Sequence, residues 1–420
     1  MRFNTLADWL SWQETLHPRE IDLGLDRVGR VYRALRGESL ACPVVTVAGT
    51  NGKGSSVALL EAIYHAAGYR VGAYTSPHLL RYNERIRIDG TPVDDGALLQ
   101  AFTRVDDARE ATSLSYFEFG TLAALELFHE AALDAAVLEV GLGGRLDAVN
   151  IVDADVALIT AIGIDHVEWL GSDRDSIGRE KAGIMRKGRP VVCSDPSPPH
   201  SIAERASEIG ATLYQLGREF DFRLADDTWS WRAGSQHRTA LPLPALRGEH
   251  QLRNAAGALM VVELLAQRLP VAQQARRAGL LSLQLPGRFQ VVPGNVTRIF
   301  DVAHNADSVC ALAQNLARHA CTGRTHAVVG MLADKDAEAA LTGIASQIDV
   351  WHVADLPGNR GGAGQRLSTV VTRCAARAPC TVYANVGAAY RSALGQAMSG
   401  DRVVVFGSFR TVEAALNDSL

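Results

Sequence analysis

The 420-residue sequence lacks the features that mark three broad classes of protein. Its six cysteines are scattered without a C-x-x-C spacing, which predicts the reduced thiols of a cytoplasmic protein and not a disulfide framework or a zinc site. No apolar run is long enough to span a bilayer, and the N-terminal segment has no signal-peptide core. The net charge is -4 without a long basic run, so we expect neither a membrane nor a nucleic acid as partner.

The composition is that of a globular protein, with 47% hydrophobic and 21% charged residues. Strands that alternate with helical patterns are predicted at residues 44–47, 71–75, 136–140, 156–162 and 190–193, and again at 296–302, 326–330, 350–353, 381–383 and 402–406. Residues 220–246 predict inserted antiparallel strands. We therefore expect an α/β protein, in which residues 1–286 form a P-loop-type domain with a mostly parallel sheet and helices on both faces. Residues 287–420 would form a smaller Rossmann-like α/β domain. The boundary is placed here because Pro286 and Gly287 end the preceding helical pattern.

Residues 49–55 are the most informative part of the sequence. They read Gly-Thr-Asn-Gly-Lys-Gly-Ser, follow a β-branched run and precede a helical pattern. A strand, a glycine loop and a helix bind nucleotide phosphates, because backbone N–H groups point at the anion and Lys53 adds a positive charge. In the common phosphate loop the lysine is followed directly by Ser or Thr, whereas Gly54 separates Lys53 from Ser55 here. The loop therefore predicts nucleotide binding by a particular subgroup of proteins.

Three further polar residues follow predicted strands. Glu139 ends an apolar strand, where the metal of a nucleotide would lie in an α/β sheet, and an unpaired buried carboxylate would be costly. Ser76 could bind Mg²⁺ through its hydroxyl, although an ordinary turn at the strand end is the better explanation when Ser76 is taken alone. His166 follows another strand, and a lone histidine is more often structural than a ligand. Together with Ser76 and Glu139, it favours a second metal site, although Mg²⁺ prefers oxygen ligands.

Three further basic residues need interpretation, and the two arginines among them have two interpretations each. Arg85 and Arg87 occupy alternate positions of a strand-like segment, so they could point together at a carboxylate or a phosphate, or form a solvated basic edge. Lys181 lies in a helical segment, where most lysines are solvated.

The complete set of motifs resembles the Mur ligase superfamily, and within it the folylpolyglutamate synthases and the bifunctional dihydrofolate synthase/folylpolyglutamate synthases of bacteria. The resemblance covers nearly the whole chain and rests on residues 22–28, 49–55, 115–118, 138–145, 165–166, 179–184, 285–289, 300–305 and 406–409. It implies an ATP-dependent ligase of folate biosynthesis that joins L-glutamate to 7,8-dihydropteroate and to reduced folates through an acyl phosphate.

The resemblance also implies roles for individual residues. Contacts to ATP would come from Thr50, Asn51, Gly52, Lys53, Gly54, Ser55, Asn254, Arg288, Asp301 and His304. Two Mg²⁺ ions would be held by Ser76, Glu139, His166 and Lys181, with Lys181 carbamylated by CO₂ into an anionic ligand, and K⁺ is a further expected cofactor. The catalytic residues would be Lys53, Lys181 and His166. The pterin substrate would lie near Asp22, Leu23, Gly24, Leu25, Arg27, Arg85, Ser115, Tyr116, Phe117, Glu118, Leu146, Asp147 and Ala148.

Two other functions stay open at this point. The chain could have only the folylpolyglutamate synthase activity, or it could be a nucleotide switch of the GTPase type. The segment nearest to a guanine-reading motif, Asp334-Lys335-Asp336, lacks the first residue of that motif. We expect a monomer whose partners are the small-molecule substrates.

Overall fold

The computed structural model describes residues 2–37, 39–358 and 360–419. The chain divides into two compact units, one of residues 1–245 and 251–283 and the other of residues 246–250 and 284–420. The boundary predicted after residue 286 lies three positions beyond the division after residue 283. None of the helices within the described ranges combines the length and the hydrophobicity needed to cross a membrane.

The first unit is built on an eight-stranded sheet in the order β4-β3-β2-β5-β1-β6-β7-β8. These strands are β1 Val44–Ala48, β2 Val71–Tyr74, β3 Ile86–Ile88, β4 Thr91–Pro92, β5 Ala135–Glu139, β6 Val156–Ile159, β7 Pro190–Cys193 and β8 Thr212–Gln215. The pairs β2–β3 and β3–β4 are antiparallel, and the others are parallel. All five residues of β1 are buried, as its valine-rich sequence requires in the middle of a parallel sheet.

A separate three-stranded antiparallel sheet belongs to the same unit, with the order β11-β10-β9. Its strands are β9 Phe220–Ala225, β10 Thr228–Ala233 and β11 Gln236–Pro242. The helices of the unit are α1 Leu6–Leu16, α2 Asp26–Leu35, α3 Lys53–Ala66, α4 Asp95–Arg109, α5 Tyr116–Glu130, α6 Val167–Leu170, α7 Arg174–Lys181, α8 His200–Ile209, α9 Glu249–Leu264 and α10 Gln273–Ser282. One apolar cluster joins α1, α2, α4 and α5 to the sheet, and a second joins α7 and α8 to it.

The second unit has a six-stranded sheet in the order β12-β13-β17-β14-β15-β16, in which only the β12–β13 pair among the described strands is antiparallel. The strands are β12 Gln290–Val292, β13 Thr297–Phe300, β14 Thr325–Val329, β15 Val350–Ala354, β16 Cys380–Tyr383 and β17 Arg402–Phe406. The helices are α11 Ala306–Arg318, α12 Ala337–Thr342, α13 Gly364–Cys374, α14 Val386–Gln396 and α15 Phe409–Asn417. The two mostly parallel sheets confirm the predicted fold class.

Several predicted strands are shorter than expected, among them the one at 296–302, which is observed as Thr297–Phe300. The strand predicted at 156–162 ends at Ile159, so His166 lies beyond the strand and directly before α6. Arg85 is the last residue of a 3₁₀ helix, Tyr82–Arg85, and Arg87 belongs to β3. The two arginines therefore do not alternate along one strand, because the backbone changes conformation between them.

Candidate active site

The glycine loop between β1 and α3 is closed by bonds to residues 161 and 163. The backbone N–H groups of Thr50 and Asn51 donate to the carbonyl of Ala161 at 2.8 and 3.3 Å. The Thr50 hydroxyl donates to the Gly163 carbonyl at 3.0 Å. The Lys53 ammonium folds back over the loop and donates to the carbonyls of Gly49 and Thr50 at 3.1 and 3.3 Å. The loop is thus preshaped, with Gly54 and Ser55 in the first turn of α3.

Helix α9 closes one side of this loop. Gly52 has a φ of +97°, and a Cβ atom there would lie 2.5 Å from Oδ1 of Asn254, so both the backbone and the contact require glycine. The buried Asn254 amide donates to Oε1 of Gln251 at 3.0 Å, and Gln251 donates to the Ser55 hydroxyl at 3.4 Å. Asn254 was expected near the nucleotide, whereas the sequence carried no local signal for Gln251.

Ser76 and Glu139 are neighbours, as the metal-site prediction requires. Glu139 ends β5, is 4% exposed and pairs in register with Val47, just before the glycine loop. Its Oε2 atom accepts a hydrogen bond from the backbone N–H of Ser76 at 3.2 Å. Among the described residues, no cluster of three or more His, Cys, Asp or Glu side chains could hold a metal ion.

Lys181 is buried near Lys53, at the end of α7, and only 2% of it is exposed. Burial lowers its pKa to about 7, and the positive charge of Lys53 acts in the same direction. The carboxylates of Asp165, Asp147 and Glu180 oppose this effect. With a pKa of about 7, the amine is partly unprotonated at physiological pH. His166 precedes α6 with a φ of +51°, and its backbone N–H donates to Asp165 at 2.8 Å.

Three segments were expected to surround the pterin, namely residues 22–25, 115–118 and 146–148, and Arg27 joins the first two. Its guanidinium donates to Asp22 Oδ2 at 2.7 Å and to Glu118 Oε1 at 3.1 Å. Burial raises the pKa of Asp22, but the His17 hydrogen bond and the Arg27 charge outweigh this effect and lower it. The third segment, residues 146–148, contacts the first through Gly24, whose N–H donates to the carbonyl of Leu146 at 3.2 Å. Leu23 and Leu25 are half-buried in the loop before α2.

Ser115 and Glu118 have a structural role as well, because they form a capping box at the start of α5. The Ser115 N–H donates to Glu118 Oε2 at 2.7 Å, and the Glu118 N–H donates to the Ser115 hydroxyl at 3.3 Å. Phe117 packs against Gly141, where an added Cβ would lie 2.6 Å from its ring. The segment 115–118 is thereby anchored beside the loop that follows Glu139.

Asp147 shapes that same loop. It is buried, and its carboxylate accepts from the N–H groups of Leu142 and Val149 at 2.9 and 3.0 Å. Burial raises its pKa to about 7 in spite of these bonds and the Lys53 charge. Ala148 begins the 3₁₀ helix that Asp147 caps.

Of the two interpretations of Arg85 and Arg87, the one in which they point together at one anion does not match the structure. Arg87 donates to both carboxylate oxygens of Glu61, between 2.7 and 3.1 Å. Arg85 donates through Nε to Nδ1 of His78 at 2.8 Å, and its guanidinium lies over the rings of Tyr82 and Tyr116. The two side chains differ because Glu61 on α3 binds Arg87, whereas His78 binds Arg85.

In the second unit, Asp301 holds the chain around Arg288 and His304. Its carboxylate accepts from the N–H groups of Phe289 and Ala303, both at 2.8 Å, and burial raises its pKa against the charge of Arg288. The Arg288 guanidinium lies 5.1 Å from the ring centroid of Phe409. His304 Nδ1 lies 2.8 Å from the carbonyl of Val302, which assigns the proton to Nδ1.

Comparison with known proteins gives two family matches. Residues 47–262 match the Mur ligase middle domain, and residues 287–409 match the Mur ligase glutamate ligase domain. The chain is 45% identical to the dihydrofolate synthase/folylpolyglutamate synthase of Escherichia coli K12 over 407 residues, which cover 97% of this chain and 94% of that protein.

Solved structures give the same result. The E. coli FolC structure in complex with DHPP and ADP has a TM-score of 0.94 at 44% identity, and the alignment covers 99% of this chain and 97% of that one. A bifunctional folylpolyglutamate synthase/dihydrofolate synthase with Mn, AMPPNP and L-glutamate bound has a TM-score of 0.91 at 45% identity, over 99% of this chain and 98% of that one.

Proposed function

The chain belongs to the Mur ligase family, and we propose that it joins L-glutamate to 7,8-dihydropteroate and to reduced folates at the expense of ATP. The observation that carries the dihydropteroate activity is the Arg27 bridge. It brings together residues 22–25 and 115–118, the two segments that resemble the bifunctional enzymes, in the unit that also carries the glycine loop.

The reaction needs ATP because a carboxylate is anionic and has no leaving group. A carboxylate oxygen of the folate substrate attacks the γ-phosphorus of ATP, which forms an acyl phosphate and releases ADP. The neutral α-amine of glutamate then attacks the acyl carbon. The C–O bond to phosphate breaks, inorganic phosphate leaves, and the amine loses a proton to complete the amide. Lys53 and the N–H groups of the glycine loop stabilise the negative charge on the phosphates.

The donors around Glu139 fit a hard divalent cation, because the neighbouring Ser76 supplies a hydroxyl and Glu139 a carboxylate. Mg²⁺ there would neutralise charge on the phosphates of ATP. We propose His166 as part of a second site. A carbamate on Lys181 would replace a buried amine with an anion, and the lowered pKa of Lys181 supports that modification, because an unprotonated amine reacts with CO₂. A requirement for K⁺ and a cytoplasmic location stay predictions from the sequence.

The proposed nucleotide contacts of Asn254, Arg288, Asp301 and His304 are supported by their surroundings. Asn254 touches Gly52 of the glycine loop. Asp301 fixes the backbone at Phe289 and Ala303. Arg288 directly precedes Phe289, and His304 directly follows Ala303.

Glutamate-dependent ADP release with dihydropteroate as the sole acceptor tests the function. We expect turnover with dihydropteroate and also with tetrahydrofolate, and no turnover when glutamate is left out. Turnover with tetrahydrofolate alone would leave only the folylpolyglutamate synthase activity. Equal binding of GTP and ATP without amide formation would instead support a nucleotide switch.

A further inference from the structure

Arg85 is held in place by a histidine. The Nε atom of Arg85 donates to Nδ1 of His78 at 2.8 Å, and the His78 ring packs 5.8 Å from the ring of Tyr82. The guanidinium carbon lies 5.3 Å from the ring centroid of Tyr82 and 5.4 Å from that of Tyr116. Two aromatic faces and one acceptor therefore restrain a half-buried cation.

The terminal nitrogens of Arg85 have no acceptor among the residues that the structure describes. Within the described ranges, neither Nη1 nor Nη2 of Arg85 donates to a protein acceptor, and no carboxylate lies within ion-pair distance of the guanidinium. The arginines on either side differ, because Arg81 pairs with Asp95 and Arg87 with Glu61. A partly buried guanidinium with an occupied Nε and two remaining amino groups is arranged to bind an anion through a two-pronged pair of hydrogen bonds.

The position of Arg85 suggests which anion it binds. Tyr116, which lies under its guanidinium, belongs to a segment expected to contact the pterin substrate. His78 is on the loop that carries Ser76, whose N–H bonds to Glu139. Arg85 is thus tied by its neighbours to both the pterin segment and the candidate metal ligands. Dihydropteroate has one carboxylate, the group that must reach the γ-phosphate.

We propose that Arg85 binds the carboxylate of the acyl substrate and that His78 is a positioning residue, which accepts from Nε and so directs the two terminal amino groups toward that carboxylate. This inference rests on the proposed ligase function. An acceptor at Nδ1 requires the tautomer with the proton on Nε2. Without that acceptor, the guanidinium could rotate about its side-chain bonds and lose the two-pronged alignment.

Steady-state kinetics of single variants provide the first test. In Arg85→Ala we expect the KM for dihydropteroate to rise about ten- to a hundred-fold, the range for loss of hydrogen bonds between charged groups, with the KM for ATP unchanged within about twofold. His78→Leu should raise the same KM about five-fold or more, because the two terminal amino groups of Arg85 are then misaligned although the charge remains. His78→Asn keeps an acceptor and should restore most of the affinity. Arg81→Ala, which alters an exposed ion pair nearby, should behave as the wild type.

A double variant separates positioning from a general structural effect. If His78 acts through Arg85, then His78→Leu should raise the KM for dihydropteroate no further in an Arg85→Ala background. An equal increase in both backgrounds would overturn the proposal, as would an unchanged KM in Arg85→Ala. Should the leucine variant fail to fold, Arg85→Lys provides the test instead. It keeps the positive charge without the two terminal amino groups, so its affinity for dihydropteroate should still fall. A wild-type enzyme without turnover on dihydropteroate would instead reject the dihydropteroate activity in the proposed function.

Discussion

The side chains of Glu61 and Arg87 form a buried two-pronged ion pair, with Nη2 and Nε of Arg87 lying 2.7 and 2.9 Å from Oε2 of Glu61. Nη1 of Arg87 donates to the Thr75 hydroxyl at 3.2 Å and to the Glu84 carbonyl at 3.0 Å. The Glu84 carboxylate in turn accepts from the N–H groups of Leu79, Leu80 and Arg81. One ion pair therefore ties α3, the helix of the glycine loop, to the loop that carries Ser76.

Breaking this pair should destabilise the protein strongly. Glu61→Ala leaves a mostly buried guanidinium without its carboxylate, so we expect a loss of about 3 to 5 kcal/mol in the free energy of unfolding, measured by urea denaturation. The exposed pair of Arg373 and Glu338 is the control, and Glu338→Ala should cost less than about 1 kcal/mol. Similar losses in the two variants would show that the Glu61 pair is not effectively buried.

Gly52→Ala should strongly weaken nucleotide binding. The substitution forces a left-handed backbone on alanine and places its Cβ 2.5 Å from Asn254 Oδ1, so the loop must change shape. We expect ATP affinity, measured by calorimetry, to fall by about a hundred-fold or more. Gly68 also has a positive φ, of +87°, but open space around its Cβ position. Gly68→Ala should therefore cost about 1 kcal/mol of stability and leave ATP affinity unchanged, and equal effects would contradict the role of the Gly52 contact.

Arg27→Ala should weaken binding of the pterin substrate selectively. Without the bridge from Asp22 to Glu118, the two segments lose their fixed spacing, and we expect the KM for dihydropteroate to rise about ten-fold or more. The KM for ATP should stay constant. Arg19 also approaches Asp22, at 3.8 Å, but its side chain is 74% exposed, so Arg19→Ala should have little effect. Parallel changes in both KM values would indicate a general loss of structure instead.

Loss of the Lys181 amine should remove the proposed carbamate. We expect Lys181→Ala and Lys181→Arg to lose about a hundred-fold of activity or more, since even residues behind the ligands of a metal site can cost that much. Acetate or formate should partly restore Lys181→Ala, because a small carboxylate fits the vacated position and supplies the missing oxygens. The exposed Lys187 is the control, and Lys187→Ala should be fully active. Full activity of Lys181→Arg would end the carbamate hypothesis.

A stack of three polar rings, of which the two histidines are buried, should make the second unit sensitive to acid. His352 lies between His326 and Tyr383, with ring centroids 5.6 and 5.7 Å away. Burial, and then the charge of His326, lowers the pKa of His352 from 6.5 to about 4. The folded protein therefore favours the neutral ring, whereas the unfolded chain takes up a proton near pH 6.5. The stabilisation is complete above that value and is lost as the pH falls toward 4.

Each such proton lowers the free energy of unfolding by up to about 1.4 kcal/mol per pH unit. Burial also lowers the pKa of His326, against the opposing charge of Asp401. Urea denaturation between about pH 7 and pH 5 should show a steeper loss in the wild type than in His352→Asn, which keeps a polar side chain but takes up no proton. The exposed His237→Asn is the control. If the free energy of unfolding of His352→Asn falls with pH as steeply as that of the wild type, His352 does not take up a proton on unfolding.

Much of the fold could be predicted because its signals are local. The glycine loop, the apolar strands and the helix starts are written in consecutive residues, and β1, β5, β7 and β15 lie within about one residue of their expected bounds. The errors occurred where the backbone turns between nearby residues. Arg85 and Arg87 were paired by their spacing, but a 3₁₀ helix ends between them.

The sequence by itself determined the strand–loop–helix unit that is typical of nucleotide-binding proteins, since the order of glycines, lysine and hydroxyls is sufficient for that backbone shape. Only the tertiary structure decided which distant residues complete the site. Gln251 reaches Ser55 across 196 residues, Glu118 reaches Arg27 across 91, and Glu61 rather than a ligand neutralises Arg87. Such pairs depend on which side chains come into contact when the sheet and its helices pack, and their separation along the sequence does not predict that contact.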